Sequence, residues 1–168
     1  MHIETVEPRF EAIDQRVTSV LARHSIPILR VSLGIVFFWF GALKLFPGLS
    51  PAQDLASRTI STLTLGMVGP SLSIPVLAVW EVLIGLGLLS GRLMRATLLL
   101  LAVQMVGTVL PIAFFPGEVF TRPPYAPTLE GQYIIKNLVL VAAAMVIGAT
   151  VRGGGLRSEA SAAPVVRR

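Results

Sequence analysis

Four stretches of this chain are long and apolar enough to cross a hydrocarbon layer, and nothing constrains its folding more. They run over residues 26–46, 72–90, 93–115 and 131–151. A bilayer core about 30 Å thick takes about 20 helical residues to cross. With no water in that layer to satisfy backbone N–H and C=O groups, such segments are read as helices, which satisfy those groups internally. The expected fold is therefore all-α: an integral membrane bundle of four transmembrane helices. Composition agrees, because 54% of the residues are hydrophobic and 14% charged, against about 25% charged in an ordinary soluble domain.

The connections refine the topology. Ser90-Gly91-Arg92 is too short for anything but a tight turn, so the second and third spans form an antiparallel hairpin. Between the first two spans, Ile60, Leu63, Met67 and Val68 fall at helical spacing and suggest a short amphipathic helix on the bilayer surface. The Pro- and Gly-rich loop from Pro116 to Glu130 should be irregular. About 25 fairly polar residues precede the first span, which argues against a signal peptide. Within them Ile3, Val6, Phe10, Ile13, Val17 and Val20 alternate steps of three and four, and Arg9, Arg16 and Arg23 recur every seven. That is the pattern of an N-terminal amphipathic helix over residues 1–25, read as a cytoplasmic-face anchor or a docking helix for a partner subunit. Residues 152–168 have no periodicity and read as a flexible cytoplasmic tail.

Cations set the expected orientation. Arg9, Arg16, Arg23, Arg30, Arg92, Arg95, Arg152, Arg157, Arg167 and Arg168 fall on one side of the membrane, against Lys44, Arg58, Arg122 and Lys136 on the other. This asymmetry places both termini in the cytoplasm, with the two longer loops outside. The net charge of +5 belongs to this anchoring, so nucleic acid is not an expected partner.

Polar residues inside the spans mark the candidate site. Lys44 lies about 3 Å inside the outer end of the first span, Lys136 about 7 Å inside the fourth, and Glu81 about 14 Å down the second, at 1.5 Å per residue. Gln104 reaches Glu81's level from the third span, and Asn137 follows Lys136. A lone charge at mid-membrane costs about 2.5–3.5 kcal/mol on insertion scales, so it persists only if paired, solvated or neutralised. Lys44 has another outlet, since its stem can snorkel to the headgroups. Glu81 is too short for that and is expected to face the bundle interior, either neutral or paired with Lys136 or Lys44. Ala78 and Gly85 on its stripe would let a neighbouring helix approach. Trp39 and Trp80 sit deeper than an interfacial belt and serve either as packing or as flat walls for an aromatic ligand.

The chemistry these residues exclude is also informative. Without cysteine there is no thiol chemistry, and the two histidines, His2 and His24, precede the first span, so neither haem nor a metal is expected in the bundle. No phosphate loop or nucleophile triad suggests stand-alone catalysis.

GALKLFPG at Gly41 to Gly48, followed by WEVLIGLGLLSGRLMRA with Glu81, Gly85, Gly91, Arg92 and Arg95, resembles the DoxX family of small four-helix bacterial membrane proteins, over roughly residues 28–150. By that resemblance Lys44 and Glu81 occupy signature positions, and the implied context is redox, since the family includes a subunit of thiosulfate:quinone oxidoreductase. The chain departs from the pattern at Phe40, where many relatives carry histidine, and in EGQYIIKNL at the start of the fourth span. Three functions follow as alternatives. The first is a quinone-interacting subunit of a membrane oxidoreductase, with Lys44, Glu81, Gln104, Lys136 and Trp39 around the headgroup. The second is a non-catalytic membrane scaffold for soluble redox enzymes. The third is a small-molecule or proton conduit that uses Glu81 as carrier.

Overall fold

The computed structural model describes residues 7–46, 48–50 and 53–154. The elements, in order, are α1 (Glu7–Leu43), α2 (Gln53–Leu63), α3 (Pro70–Ser90), α4 (Met94–Phe114), α5 (Pro116–Val119), β1 (Phe120–Arg122), β2 (Ala126–Pro127) and α6 (Leu129–Thr150). Four of them, α1, α3, α4 and α6, are long and apolar enough to cross a membrane. They close a ring in which α1 and α4 each pack against both α3 and α6, with the most extensive interface between α1 and α3. The chain is thus an all-α membrane bundle with one short turn at one end and the two longer connections at the other.

The core lies on the ring axis and is built from Leu33 and Phe37 of α1, Ile84 and Leu88 of α3, Leu101 and Met105 of α4, and Ala143 and Ile147 of α6. Outward positions such as Val79, Val106 and Leu138 are exposed apolar side chains, the inverse of a soluble bundle and the arrangement lipid requires.

The ends of α3 follow from local chemistry. Pro70 stands at its first turn, where a missing N–H costs nothing, and Gly91 closes it in the left-handed conformation at φ 68° with its N–H donated to Gly87. Arg30 reaches across from α1 and donates from Nη1 to the carbonyls of Leu88, at 2.7 Å, and Leu89, at 3.4 Å. A cation at a helix C-terminus meets the negative end of the helix dipole. The turn needs glycine for its φ, and a Cβ there, 2.5 Å from that Nη1, would also push the Arg30 guanidinium off its carbonyls.

Three features differ from the sequence reading. The N-terminal periodic segment and the first span form one helix that runs unbroken through Pro27, because Pro8 falls in its first turn, residues 9–26 hold neither proline nor glycine, and proline is tolerated in helices at membrane depth. Residues 1–6 and 155–168, with Ile3, Val6 and most of the expected tail, lie outside the described residues. In the first loop, the helical segment ends at Leu63, so Met67 and Val68 are not part of it. Its buried side chains are Leu55, Ser57 and Thr59, and it packs on α3 and α4 at the loop end of the bundle.

The second loop is more ordered than expected. Thr128 caps α6, accepting from the Gly131 N–H at 3.2 Å while its hydroxyl donates to the Glu118 carbonyl at 2.6 Å. Gly131 lies so close to the Val119 carbonyl that a side chain there has no room. Arg58 of α2 pairs with Glu118 of α5 and stacks over Phe115, 5.2 Å from its ring centroid, tying the two loops together.

Candidate functional site

The site begins with a close approach of two helices. Opposite Glu81, α1 carries Gly41, where a Cβ would lie 2.8 Å from Glu81 Cβ and from the Val82 nitrogen. One turn further, α3 carries Gly85, whose missing Cβ would lie 2.5 Å from the Phe38 nitrogen. Each helix supplies a glycine into which the other fits, and backbones can meet only where side chains are absent. Ala78, wholly buried, continues the contact.

That approach brings Lys44 over Glu81. Lys44 stands in the tightened turn just past Leu43, its N–H bonded to the Gly41 carbonyl at 3.2 Å. Its Nζ donates to Glu81 Oε2 at 2.6 Å, and the side chains are each only 10% exposed. The snorkelling alternative is thereby set aside: the ammonium turns inward. Gln104, on the buried stripe of α4, donates from Nε2 to the other carboxylate oxygen at 2.9 Å. Weaker contacts at 3.5 Å run from Nζ to the Phe40 carbonyl and from Gln53 Nε2 to the Lys44 carbonyl. Three elements thus converge on one carboxylate at membrane depth.

Hydrogen-bonding capacity remains unused. An ammonium has three donors and an amide one acceptor and two donors. Among the described residues the Gln104 oxygen accepts no hydrogen bond, and the Lys44 ammonium keeps a donor beyond Glu81 and Phe40. The group therefore holds one free acceptor and one free donor beyond its own contacts.

The remaining expected site residues lie elsewhere. Lys136 is corrected as a partner of Glu81: it is exposed, and its ammonium stands 5.6 Å from the Tyr133 ring centroid. The cause is how α6 packs. Its buried residues are Gly131, against the loop, and Ala143 and Ile147, in the bundle, and Lys136 falls between those anchor points. Asn137 is half-buried beside it and does not bond Glu81. Trp39 is 63% exposed and faces away from the bundle. Trp80 is partly buried, its indole N–H donating to the Leu100 carbonyl at 3.2 Å, which braces α3 against α4. Neither tryptophan walls the ion pair. Pro75, Val76, Val79 and Leu83 join Trp80 in lining an open apolar groove of about 340 Å³ on the outer surface.

Sequence reasoning did not single out Gly41 as the seat of Glu81, Arg30 as the cap of α3, or the Arg58–Glu118 pair. For Gly41 the signal was available: it stands three residues before Lys44 in GALK, on the same helical face.

Fold and site together define a class, the small four-helix membrane proteins with a buried cation–carboxylate pair between the first two spans. The family model described as DoxX matches residues 25–115, more than half of the chain's 168 residues, and the chain belongs to that family. The matched region holds Lys44, Glu81 and Gln104 and stops before Lys136. No curated protein and no solved structure matches the chain.

Proposed function

We propose that this DoxX-family protein is a quinone-interacting subunit of a membrane oxidoreductase system. It resides in the bacterial cytoplasmic membrane with both termini inside, as the cation asymmetry favours. The observation that carries the reading is the buried Lys44–Glu81–Gln104 group with donor and acceptor capacity to spare. A quinone headgroup needs a donor to its carbonyl and a proton acceptor for its reduced hydroxyl, and Lys44 and Glu81 are those two groups. Gln104 would orient the headgroup, and a lipid-soluble tail suits a bundle with an apolar outer surface. The chain's share of the chemistry is binding and proton exchange; electrons would come from a soluble redox partner at the membrane. A conduit is disfavoured by the apolar layer of Leu33, Phe37, Ile84, Leu88 and Leu101, which lies between the polar group and the far end of the bundle.

The test measures quinone retained by the purified protein, and quinone binding by wild type and a Lys44→Met/Glu81→Leu double variant. The reading expects a folded double variant that no longer binds. Binding at wild-type affinity by that variant would remove the site from the reading and leave a scaffold for soluble redox enzymes as the better account.

A further inference from the structure

Helix α1 is 37 residues long, about 55 Å at 1.5 Å per residue. A hydrocarbon core takes up only about 30 Å of that, so roughly five turns of its N-terminal part project beyond the bilayer as an arm. On this arm Phe10, Ile13, Val17 and Val20 are 70%, 61%, 51% and 57% exposed. Their spacing of three, four and three is the seam of a 3.5-residue repeat, and seams of this kind are buried by supercoiling against another helix.

We infer that the arm pairs with the arm of a second copy of this chain as a parallel two-stranded coiled coil. The first argument is direction. Two copies inserted in one bilayer with the same topology send their arms out on the same side and along the same direction. The second is charge. In the register that puts Phe10 and Val17 at a and Ile13 and Val20 at d, Arg9, Arg16 and Arg23 occupy g and Asp14 occupies e. A parallel pair sets each g beside the following e of its partner, so the Arg9 position faces that of Asp14; an antiparallel pair would set arginine positions against one another. The third is continuity. At the 3.6-residue period the same face runs on into the span through Ile28, Ile35 and Trp39, which are 62%, 50% and 63% exposed, while the bundle is met by Leu33, Phe37 and Gly41 on the opposite side. A second copy can therefore approach along the whole of α1 without disturbing the bundle. So few heptads would be marginal in solution, but confinement to one membrane raises the effective concentration.

The bilayer surface is the competing occupant, and two observations count against it. The helix continues without a break from the arm into the span, and over residues 7–25 Glu7, Glu11 and Asp14 balance Arg9, Arg16 and Arg23, where a surface-lying helix favours an excess of lysine and arginine.

The chain has no cysteine, so single-cysteine variants of the full-length protein in native membranes read the pairing directly. Ile13→Cys, on the seam, should cross-link to a dimer under mild oxidation several-fold more than Gln15→Cys, on the outer face. Equal extents at both positions, or no dimer at Ile13→Cys, would overturn the pairing. A nitroxide at Val17→Cys adds an independent reading. Dipolar broadening that disappears on dilution with unlabelled chain supports the coiled coil, whereas an unbroadened label exposed to membrane-dissolved oxygen puts the arm on the bilayer and rejects it.

Discussion

Lys44 Nζ stands 2.6 Å from Glu81 Oε2 across 37 residues of sequence, joining the end of α1 to the middle of α3. Because both side chains are withdrawn from solvent, the two charges depend on each other. A pair in this setting costs several kcal/mol per ion to desolvate, and mutual attraction returns much of that only when the geometry is good.

Removing either partner alone should therefore be costly. Glu81→Leu or Lys44→Met leaves an isolated charge and is expected to destabilise the bundle by about 3–5 kcal/mol, while the double change is expected to be near neutral or stabilising. Lys136→Met, by contrast, should change little, since Lys136 is exposed and pairs with no carboxylate among the described residues. Thermal unfolding of the four variants in one detergent checks this; equal losses for Lys44→Met and Lys136→Met would contradict the assigned pairing.

The glycines at the α1–α3 crossing should not tolerate a methyl group. Gly85→Ala would place Cβ within 2.6 Å of the Phe38 nitrogen and Cα, and backbone cannot yield as a side-chain tip can. A loss of about 1–3 kcal/mol or more is expected for it and for Gly41→Ala. Gly107→Ala is the control: no atom of the described residues lies within 4 Å of its missing Cβ, and alanine is the better helix former by about 1 kcal/mol. The comparison fails if all three melt alike.

The Arg58–Glu118 pair gives a pH dependence confined to acid. Its hydrogen bond to Arg58 holds the Glu118 carboxyl below the usual glutamate value of 4.5, and Glu118 in turn holds the Arg58 guanidinium more firmly protonated. For a carboxyl lowered in the folded state, the stabilisation is fully present above the unfolded value and is lost as pH falls through the folded one. The difference in melting temperature between wild type and Arg58→Gln should thus be constant from neutral pH down to about 5 and vanish only well below it. Because both groups are exposed to water the difference should be small, and it should shrink in high salt. A difference that disappears between pH 6 and 7, far above the carboxyl range, would assign it to some other group.

Reporter fusions inserted after Gly117, which stands in open space in the second loop, and at Arg168 should localise to opposite sides of the membrane, with the Arg168 reporter in the cytoplasm. Finding both on one side would overturn the topology.

Much of the fold was legible because lipid leaves few choices. The second, third and fourth helices begin and end within two residues of the apolar stretches that announced them. The first was cut too short at its N-terminal side, since the switch from a narrow apolar stripe to an all-apolar surface at residue 26 marks a change of solvent and does not mark a change of backbone. The site was half legible. Glu81 had to be paired, and depth along each helix brought Lys44, Lys136 and Gln104 within range. Depth carries no information about azimuth, however, and the choice between the two lysines was made by the glycine contact at Gly41 and by the incomplete packing of α6. Trp39 shows the same limit: its level is that of the site and its direction is that of the lipid.

The apolar layer at Leu33, Phe37, Ile84, Leu88 and Leu101 has an electrical consequence. A membrane potential falls mainly across the part of a protein that excludes water and polar groups, at about 2.3 kcal/mol per elementary charge per 100 mV for full passage. Lys44, Glu81 and Gln104 all lie to the loop side of that layer. A proton taken up by Glu81 from the loop side would cross only a fraction of the field, and one arriving from the other end would have to cross the insulating layer itself. Voltage should therefore bias proton delivery to Glu81 less along the loop-side route than along a route from the other end.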